Sequence, residues 1–439
     1  MIALPNECLI EIFNKFKCNY RDLFSCLLVN RQWCRNVVPI LWSEPLSHCR
    51  DRRLMRIYLL LLNVEEKASL IPLNISLPNE QKLLFEYMSY IISIDYYDLD
   101  EGIVNWLCEG HEHSNGREYT RKYLEFKNVI QIVKDSLIAM LIRTNKKIKY
   151  ANLQKINNCK VVKLLLEILY KNSTITLLNL SRNEFSFEEI RTLADVLCKN
   201  TCLSSLGLQE CKLGSKEAKV LSNAFYENTT LSYLNLSFNK LGDEGIKAFA
   251  EVLYENTTLT TLCFSHNQLT FEGGKTLAEA LYKNITLTSL NIGDNNLGII
   301  GSKAIAETLR KNTSLTYLNL YNNNLGFEGI KVIVEALYKN TVLTSLNIGK
   351  NRIGSEEAEI IAEALSYNIT LTSLSLSGNQ LGNKEGKILA EALCKNTNLT
   401  SLFLYNNPMD SEMTKEIEKM LCKDGTLTTS VKFRVKSSC

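Results

Sequence analysis

The sequence predicts an α/β solenoid: a parallel β-sheet on a concave side, helices on a convex side, and ahead of them a small all-α unit and a helical connector. Three observations predict it. Asparagines recur at a fixed 28-residue step from residue 172 onward. Between them the hydrophobic period switches from two residues, as in a strand, to that of a helix. Five of the six prolines fall in the first 78 residues, so the rest of the chain has room for unbroken regular structure. The expected parts are residues 1–45, a connector over 46–147, and an array over 148–439 that ends in a cap.

Length and composition set the frame. With 439 residues, 45% hydrophobic and 22% charged, the chain can bury a large core. Lys and Arg number 50 against 47 acids, a net charge of +3 that suggests no nucleic-acid footprint. The opening Ile2-Ala3-Leu4-Pro5 has no basic flank and apolar stretch of a secretory signal. The apolar run Ile57 to Leu62 is far shorter than the ~20 residues that cross a bilayer. Fourteen scattered cysteines with no C-x-x-C pair read as reduced, mostly buried thiols of a cytosolic or nuclear protein. Cys439 ends the chain without heading a C-a-a-X box. No membrane partner is expected.

The first 45 residues pack many large apolar side chains into three short helices. Pro5 sits at the start of the first, with Glu7 in its opening turn. Asp22 precedes an apolar stripe through Leu23, Phe24, Cys26, Leu27 and Val29. Trp33, Val37-Val38-Pro39 and Leu41-Trp42 follow. So small a unit cannot cover so much apolar surface, and it is expected to meet another protein. The connector is the least informative stretch: Leu54 to Val64 and Lys127 to Thr144 look helical, and Arg143, Lys146, Lys147 and Lys149 read as a solvated basic face.

The array has two asparagine series. The first is Asn172, Asn200, Asn228, Asn256, Asn284, Asn312, Asn340, Asn368 and Asn396. The second is Asn183, Asn239, Asn267, Asn295, Asn323, Asn351, Asn379 and Asn407, with Cys211 in the remaining slot. Between them runs L-x-x-L-x-L-x-x-N, clearest at Leu231, Leu234, Leu236 and Asn239. Leu234 and Leu236 face one side and Asn235 the other. After the second asparagine Ile246, Phe249, Ala250 and Leu253 mark a helix. The first-series asparagine is expected to close that helix in a left-handed cap, and the second to bond the bare backbone of the turn. Residues 148–170 read as a degenerate first repeat, and Leu427 to Val435 as a final strand or cap.

These residues resemble leucine-rich repeats of the ribonuclease-inhibitor type, as in Leu241-Gly242-Asp243-Glu244-Gly245-Ile246-Lys247-Ala248, echoed at Leu325 to Gly329. The N-terminal string resembles an F-box: Leu4-Pro5, Ile12-Phe13, Val29 to Trp33, and Leu41-Trp42. That resemblance implies docking onto a Skp-type adaptor, and through it a cullin–RING ubiquitin ligase. It would place Leu4, Pro5, Ile12, Phe13, Leu23, Val29, Val38 and Leu41 on the adaptor face. Trp33 and Trp42 are either packing or face residues. The alternative is an ordinary helical cap of the solenoid.

Chemistry is not expected. Cys108, His111 and His113 lack a fourth metal ligand, so no metal or other cofactor is implied. Gly274-Lys275-Thr276 only imitates a P-loop end, and sequons such as Asn228-Thr229-Thr230 recur because the repeat does. No nucleophile–base pair stands out, and no catalytic residue is assigned.

The strand residues between the leucines face the concave side, and most are bland, such as Ser205, Ser289, Ser345 and Ser373. The departures are Tyr233, Phe238, His266, Asp294, Tyr317, Tyr321, Lys350, Phe403 and Tyr405, which are the candidate target-binding residues. An inhibitor of a basic enzyme would need an acidic face. Here Arg182, His266 and Lys350 mix with Glu210 and Asp294. The expected function is substrate recognition in a ubiquitin ligase. The alternative is a binding scaffold without ubiquitination, with the inhibitor last.

Overall fold

The computed structural model describes residues 4–17, 19–44, 52–73, 75, 77, 78, 86–108, 116–156, 158–171, 174–396 and 398–423. Asn172, His111, His113 and the expected cap Leu427 to Val435 lie outside them. Among the described residues eleven strands, each three residues long, run parallel in one sheet in chain order. The chain forms two compact units. Residues 1–183 with 200–205 make the first, and 184–199 with 206–439 the second.

The first unit opens with α1 (Asn6–Lys15), α2 (Tyr20–Leu27) and α3 (Arg31–Leu41). Sequence sets each start. Pro5 is the N-cap of α1, while the Asn19 and Asn30 side chains accept from the backbone N–H of Asp22 and Trp33 to cap α2 and α3. Leu9, Phe13, Leu23, Val37 and Ile40 form the core, with the Trp33 ring edge-on to Phe13 at 5.0 Å. Trp42 stacks on Tyr87 at 4.3 Å, and Ser43 O accepts from Ile92 N at 2.9 Å. These contacts fix the three helices to the connector that follows.

The connector holds α4 (Arg52–Leu60), α5 (Val64–Ala68), α6 (Leu99–Leu107), α7 (Gly116–Glu125) and α8 (Lys127–Thr144). The helix expected from Leu54 to Val64 instead stops at Leu60, because Asn63 caps a new one at Val64. It is also not purely helical. β1 (Ser93–Asp95) pairs with β2 (Tyr150–Asn152), and β2 with β3 (Leu177–Asn179). Arg143 is exposed, as are Lys146, Lys147 and Lys149, and its guanidinium also grips the Glu66 carboxylate with bonds of 2.9 and 2.8 Å. In α8, Lys134 is buried and bonds Asp100 at 2.7 Å, with its ammonium 3.6 Å from the Tyr96 ring centre. Beside it the buried Asp135 accepts from Tyr96 and Asn158. Burial pushes Lys134 down and both aspartates up, against the pull of their mutual attraction. β2 and α9 (Cys159–Lys171) make the degenerate first repeat.

The second unit repeats one strand–turn–helix module. Its strands are β5 (Tyr233–Asn235), β6 (Thr261–Cys263), β7 (Ser289–Asn291), β8 (Tyr317–Asn319), β9 (Ser345–Asn347), β10 (Ser373–Ser375) and β11 (Ser401–Phe403), after β4 (Ser205–Gly207). Its helices are α10 (Phe187–Lys199), α11 (Ser215–Ala224), α12 (Gly242–Leu253), α13 (Phe271–Lys283) and α14 (Gly298–Leu309). They continue with α15 (Gly326–Leu337), α16 (Ser355–Tyr367), α17 (Asn383–Leu393) and α18 (Ser411–Lys423). Register is strict, as in Leu234↔Leu262, Leu262↔Leu290 and Leu290↔Leu318. Phe225, Phe249 and Phe264 fill one stretch of the core, with ring centres 6.0 and 5.3 Å apart.

The second asparagine series does what its spacing suggested. Asn239 Nδ2 donates to Leu208 O and Leu236 O at 2.9 and 2.8 Å, and its Oδ1 accepts from Cys211 N and Leu213 N. Each such amide ties a turn to the one before it. The first series departs from expectation. Asn284 and Asn368 are extended, with φ near −75° (−73 and −76), not left-handed. Their side chains cap instead: Asn284 Nδ2 donates to Leu253 O at 2.7 Å, satisfying the end of the preceding repeat's helix.

Candidate protein-binding surfaces

Helical geometry divides the eight adaptor candidates. Leu4, Pro5, Ile12 and Val29 are exposed. Phe13, Leu23 and Val38 were expected on the same face, but at 1%, 1% and 5% exposure they are buried, Phe13 and Leu23 in the core of the three-helix unit. Side chains so fully buried expose too little surface to meet a partner in this conformation. Leu41 is half-buried against that core, and Trp33 and Trp42 are packing residues. The sequence reading missed Phe24 and Leu28, exposed at 60% and 77%, with Ile10 and Phe16 beside them in exposure class. The helical period of α2 held the signal: with Leu23 and Leu27 turned inward, Phe24 and Leu28 must face out. Eight exposed apolar residues on the three short helices and the turns that flank them make an apolar surface that water does not favour.

On the sheet, the repeat places the nine target candidates in three kinds of position. Tyr233, Tyr317 and Phe403 lie on strands, half-buried among their neighbours. The Tyr233 hydroxyl and the Cys263 thiol interact on adjacent strands, and burial raises the titration of both. Burial and then the Cys263 charge also raise Tyr317. Tyr321 and Tyr405 follow the inward leucine. The Tyr321 ring covers Gly349, where an added Cβ would stand 2.9 Å from Cδ2. Glycine there makes room for the ring.

Phe238, His266, Asp294 and Lys350 occupy the third position, just before the buried asparagine, with φ of 58°, 55°, 53° and 54°. This left-handed conformation suits glycine and asparagine, which hold it at Gly378, Asn322 and Asn406. Phenylalanine, histidine and lysine sit there at a cost of about 1 kcal/mol each. The side chains reach their neighbours: Phe238 stacks on His266 at 4.7 Å, and the Lys350 ammonium lies 5.9 Å from the Tyr321 ring centre. Asp294 is engaged, its Oδ1 accepting from Asn322 Nδ2 at 2.8 Å. The candidates thus meet in three pairs, Phe238–His266, Tyr321–Lys350 and Phe403–Tyr405, the last with rings 5.9 Å apart, while Tyr233 and Tyr317 both sit near Cys263. Among the described residues no cluster of His, Cys, Asp or Glu could hold a metal ion, and no helix is long and apolar enough to cross a membrane.

Two sequence families match this chain. F-box-like covers residues 1–48, and Leucine Rich repeat covers 227–250, 255–278, 283–306, 311–334, 339–359 and 367–384. No curated protein matches it. Solved structures similar to it include one titled leiomodin-1 actin-binding site 2, with 23% identity over 35% of this chain and 88% of that one at a TM-score of 0.31. Another is the tropomodulin C-terminal domain of Caenorhabditis elegans, with 16% identity over 35% and 93% of the two chains and a TM-score of 0.31.

Proposed function

Starting from a chain that joins an F-box-like domain to leucine-rich repeats, the architecture of an F-box/leucine-rich-repeat protein, we propose that it is the substrate-recognition subunit of a Skp–cullin–F-box ubiquitin ligase. The exposed apolar residues Leu4, Ile12, Phe24, Leu28 and Val29 carry this reading. Phe13, Leu23 and Val38 are already buried, so the outer set needs a partner to cover it. A Skp-type adaptor is the partner that the F-box resemblance supplies, and the cullin is reached through it.

The repeats supply the other half. Their aromatic side chains are rigid anchors of the kind that dominate protein interfaces. They bind the target, and the chain itself performs no chemistry on it. The work is positional: one end is held by the adaptor while the other holds the protein to be modified. Cytosol or nucleus is the compartment this role calls for.

The test is co-purification of the full-length chain with a Skp-type adaptor. Ile12→Glu with Leu28→Glu should abolish it while leaving the melting temperature unchanged, since both residues are exposed. Undiminished adaptor binding would sink the reading. Cullin in the same purification, and a protein that accumulates when the variant replaces the wild type, separate a ligase subunit from a plain scaffold.

A further inference from the structure

We propose that the strand-to-helix turns after β6, β7 and β8 form a second protein-docking surface, which takes a short extended peptide with an apolar centre and acidic residues at both ends. It is distinct from the aromatic groups on the strands and does not depend on the adaptor.

The observation begins with α14. Of helices α10–α18, it alone has no acidic residue in its first turn. Acids there complement the helix dipole, so the fold favours them. In their place stand Ile299 and Ile300, exposed at 42% and 56%. The equivalents of Ile300 in the adjoining repeats are Glu272 and Glu328, both exposed. Folding does not ask for two exposed isoleucines at this spot.

Neighbouring turns extend the patch. Phe271 is exposed and Phe327 half-exposed at the positions equivalent to Ile299. The turns touch: a Cβ on Gly326 would lie 3.7 Å from Ile299, and one on Gly301 would lie 3.6 Å from the Phe271 backbone. The outer column beside them is neutral over this stretch, Gln268, Asn296 and Asn324, and Asn324 donates to Asn296 at 2.9 Å. Beyond it, the column turns basic at both ends, with exposed Lys240 on one side and exposed Arg352 on the other.

That charge pattern selects the occupant. Apolar side chains fit the centre, and carboxylates fit Lys240 and Arg352. Glu272 and Glu328 would repel an acid placed over the centre, which confines acids to the ends. Strands about 4.8 Å apart put the basic ends roughly 19 Å apart, the span of about six extended residues. One more feature marks the same turn. The Asn323 Oδ1 is buried and unpartnered, whereas the equivalent oxygens of Asn239 and Asn295 accept backbone N–H groups from the preceding turn. The turn leading to Ile299 is therefore held by that amide only at its start, where Asn323 Nδ2 donates to Ile292 O, and not through the oxygen.

The experiment selects short random peptides, displayed on phage, against the full-length chain. Enriched peptides are then measured on wild type, on Ile299→Ser/Ile300→Glu, and on Tyr317→Ala/Tyr321→Ala. The first variant installs the Ser-Glu pair that α16 and α18 carry at the same positions (Ser355-Glu356 and Ser411-Glu412). Expected are peptides of acidic–apolar–acidic pattern, bound about tenfold or more weakly by the first variant and unchanged by the second. Lys240→Glu/Arg352→Glu should weaken them as well. The isoleucine variant should melt at or above the wild-type temperature, so lost binding cannot be blamed on unfolding. No enrichment, peptides of another pattern, or equal binding to the isoleucine variant overturns the proposal. Loss only in the tyrosine variant overturns it while supporting the strand-face reading. A clear drop in melting temperature shows the isoleucines to be packing. A wild-type dimer that the variant makes monomeric assigns the patch to self-association instead.

Discussion

A buried asparagine of the second series can satisfy four backbone groups that no helix or strand would otherwise pair, and its energetics can be measured one rung at a time. Asn295 donates to Phe264 O and Ile292 O and accepts from Asn267 N and Leu269 N. Alanine there strands all four, at roughly 3 kcal/mol once partial rehydration is allowed. Asn323 makes the donor bonds but not the acceptor ones. Asn323→Ala should therefore cost about 1–2 kcal/mol less than Asn295→Ala in urea unfolding. Equal losses would mean that the Asn323 oxygen finds a partner in solution. The cysteine in the Cys211 slot shows which half of the bonding matters least. It accepts the exchange of an amide for a thiol, buried and within 3.5 Å of Gln209 O.

At the scale of elements, α8 is the member whose burial the sequence concealed. Its charged Lys134 and Asp135 look like surface residues in a one-dimensional reading, yet both lie inside, paired with residues 34 and 23 positions away. Lys134→Ala leaves the buried Asp135 and the half-buried Asp100 without their cation and should cost roughly 3 kcal/mol. Lys134→Met with Asp100→Leu removes the pair together and should be much nearer neutral. Calorimetry of both variants decides. A small effect of the first would mean that water reaches the site. The same lesson applies to the proposed adaptor face. Type and spacing identified the three-helix unit, but they could not separate Phe13 from Phe24, since inside and outside differ only in helical phase and in what packs across. Strand β1 was equally hidden, being three residues whose only strand signal is a partner 57 residues later.

Across the whole molecule, the array was legible because it is periodic: each repeat reports on the others, and errors at one are corrected by the next. What the period could not supply was backbone conformation. The first-series asparagines look like left-handed caps, but the left-handed residues stand elsewhere, at Phe238, His266 and Lys350. That shift turned four target candidates into one column. Periodicity also makes a prediction. Every capping asparagine reaches back 31 residues, as Asn340 does to Leu309 O and Asn368 to Leu337 O. Deleting residues 340–367 brings Asn368 into the place of Asn340 and should leave a chain that still unfolds cooperatively. Deleting a stretch that is not a whole repeat should abolish folding. Circular dichroism melts of the two deletions test this.

The phenylalanines at 225, 249 and 264 acquire a further meaning from that equivalence. Modules of one length and one bonding pattern can be stacked with a module looped out, and little in the ladder itself would oppose the error. Three large rings lie against one another in a core otherwise filled mainly by smaller aliphatic side chains. A chain that skipped a repeat near them would bury a void or a clash in place of the fitted rings, so the correct count is the more stable one there.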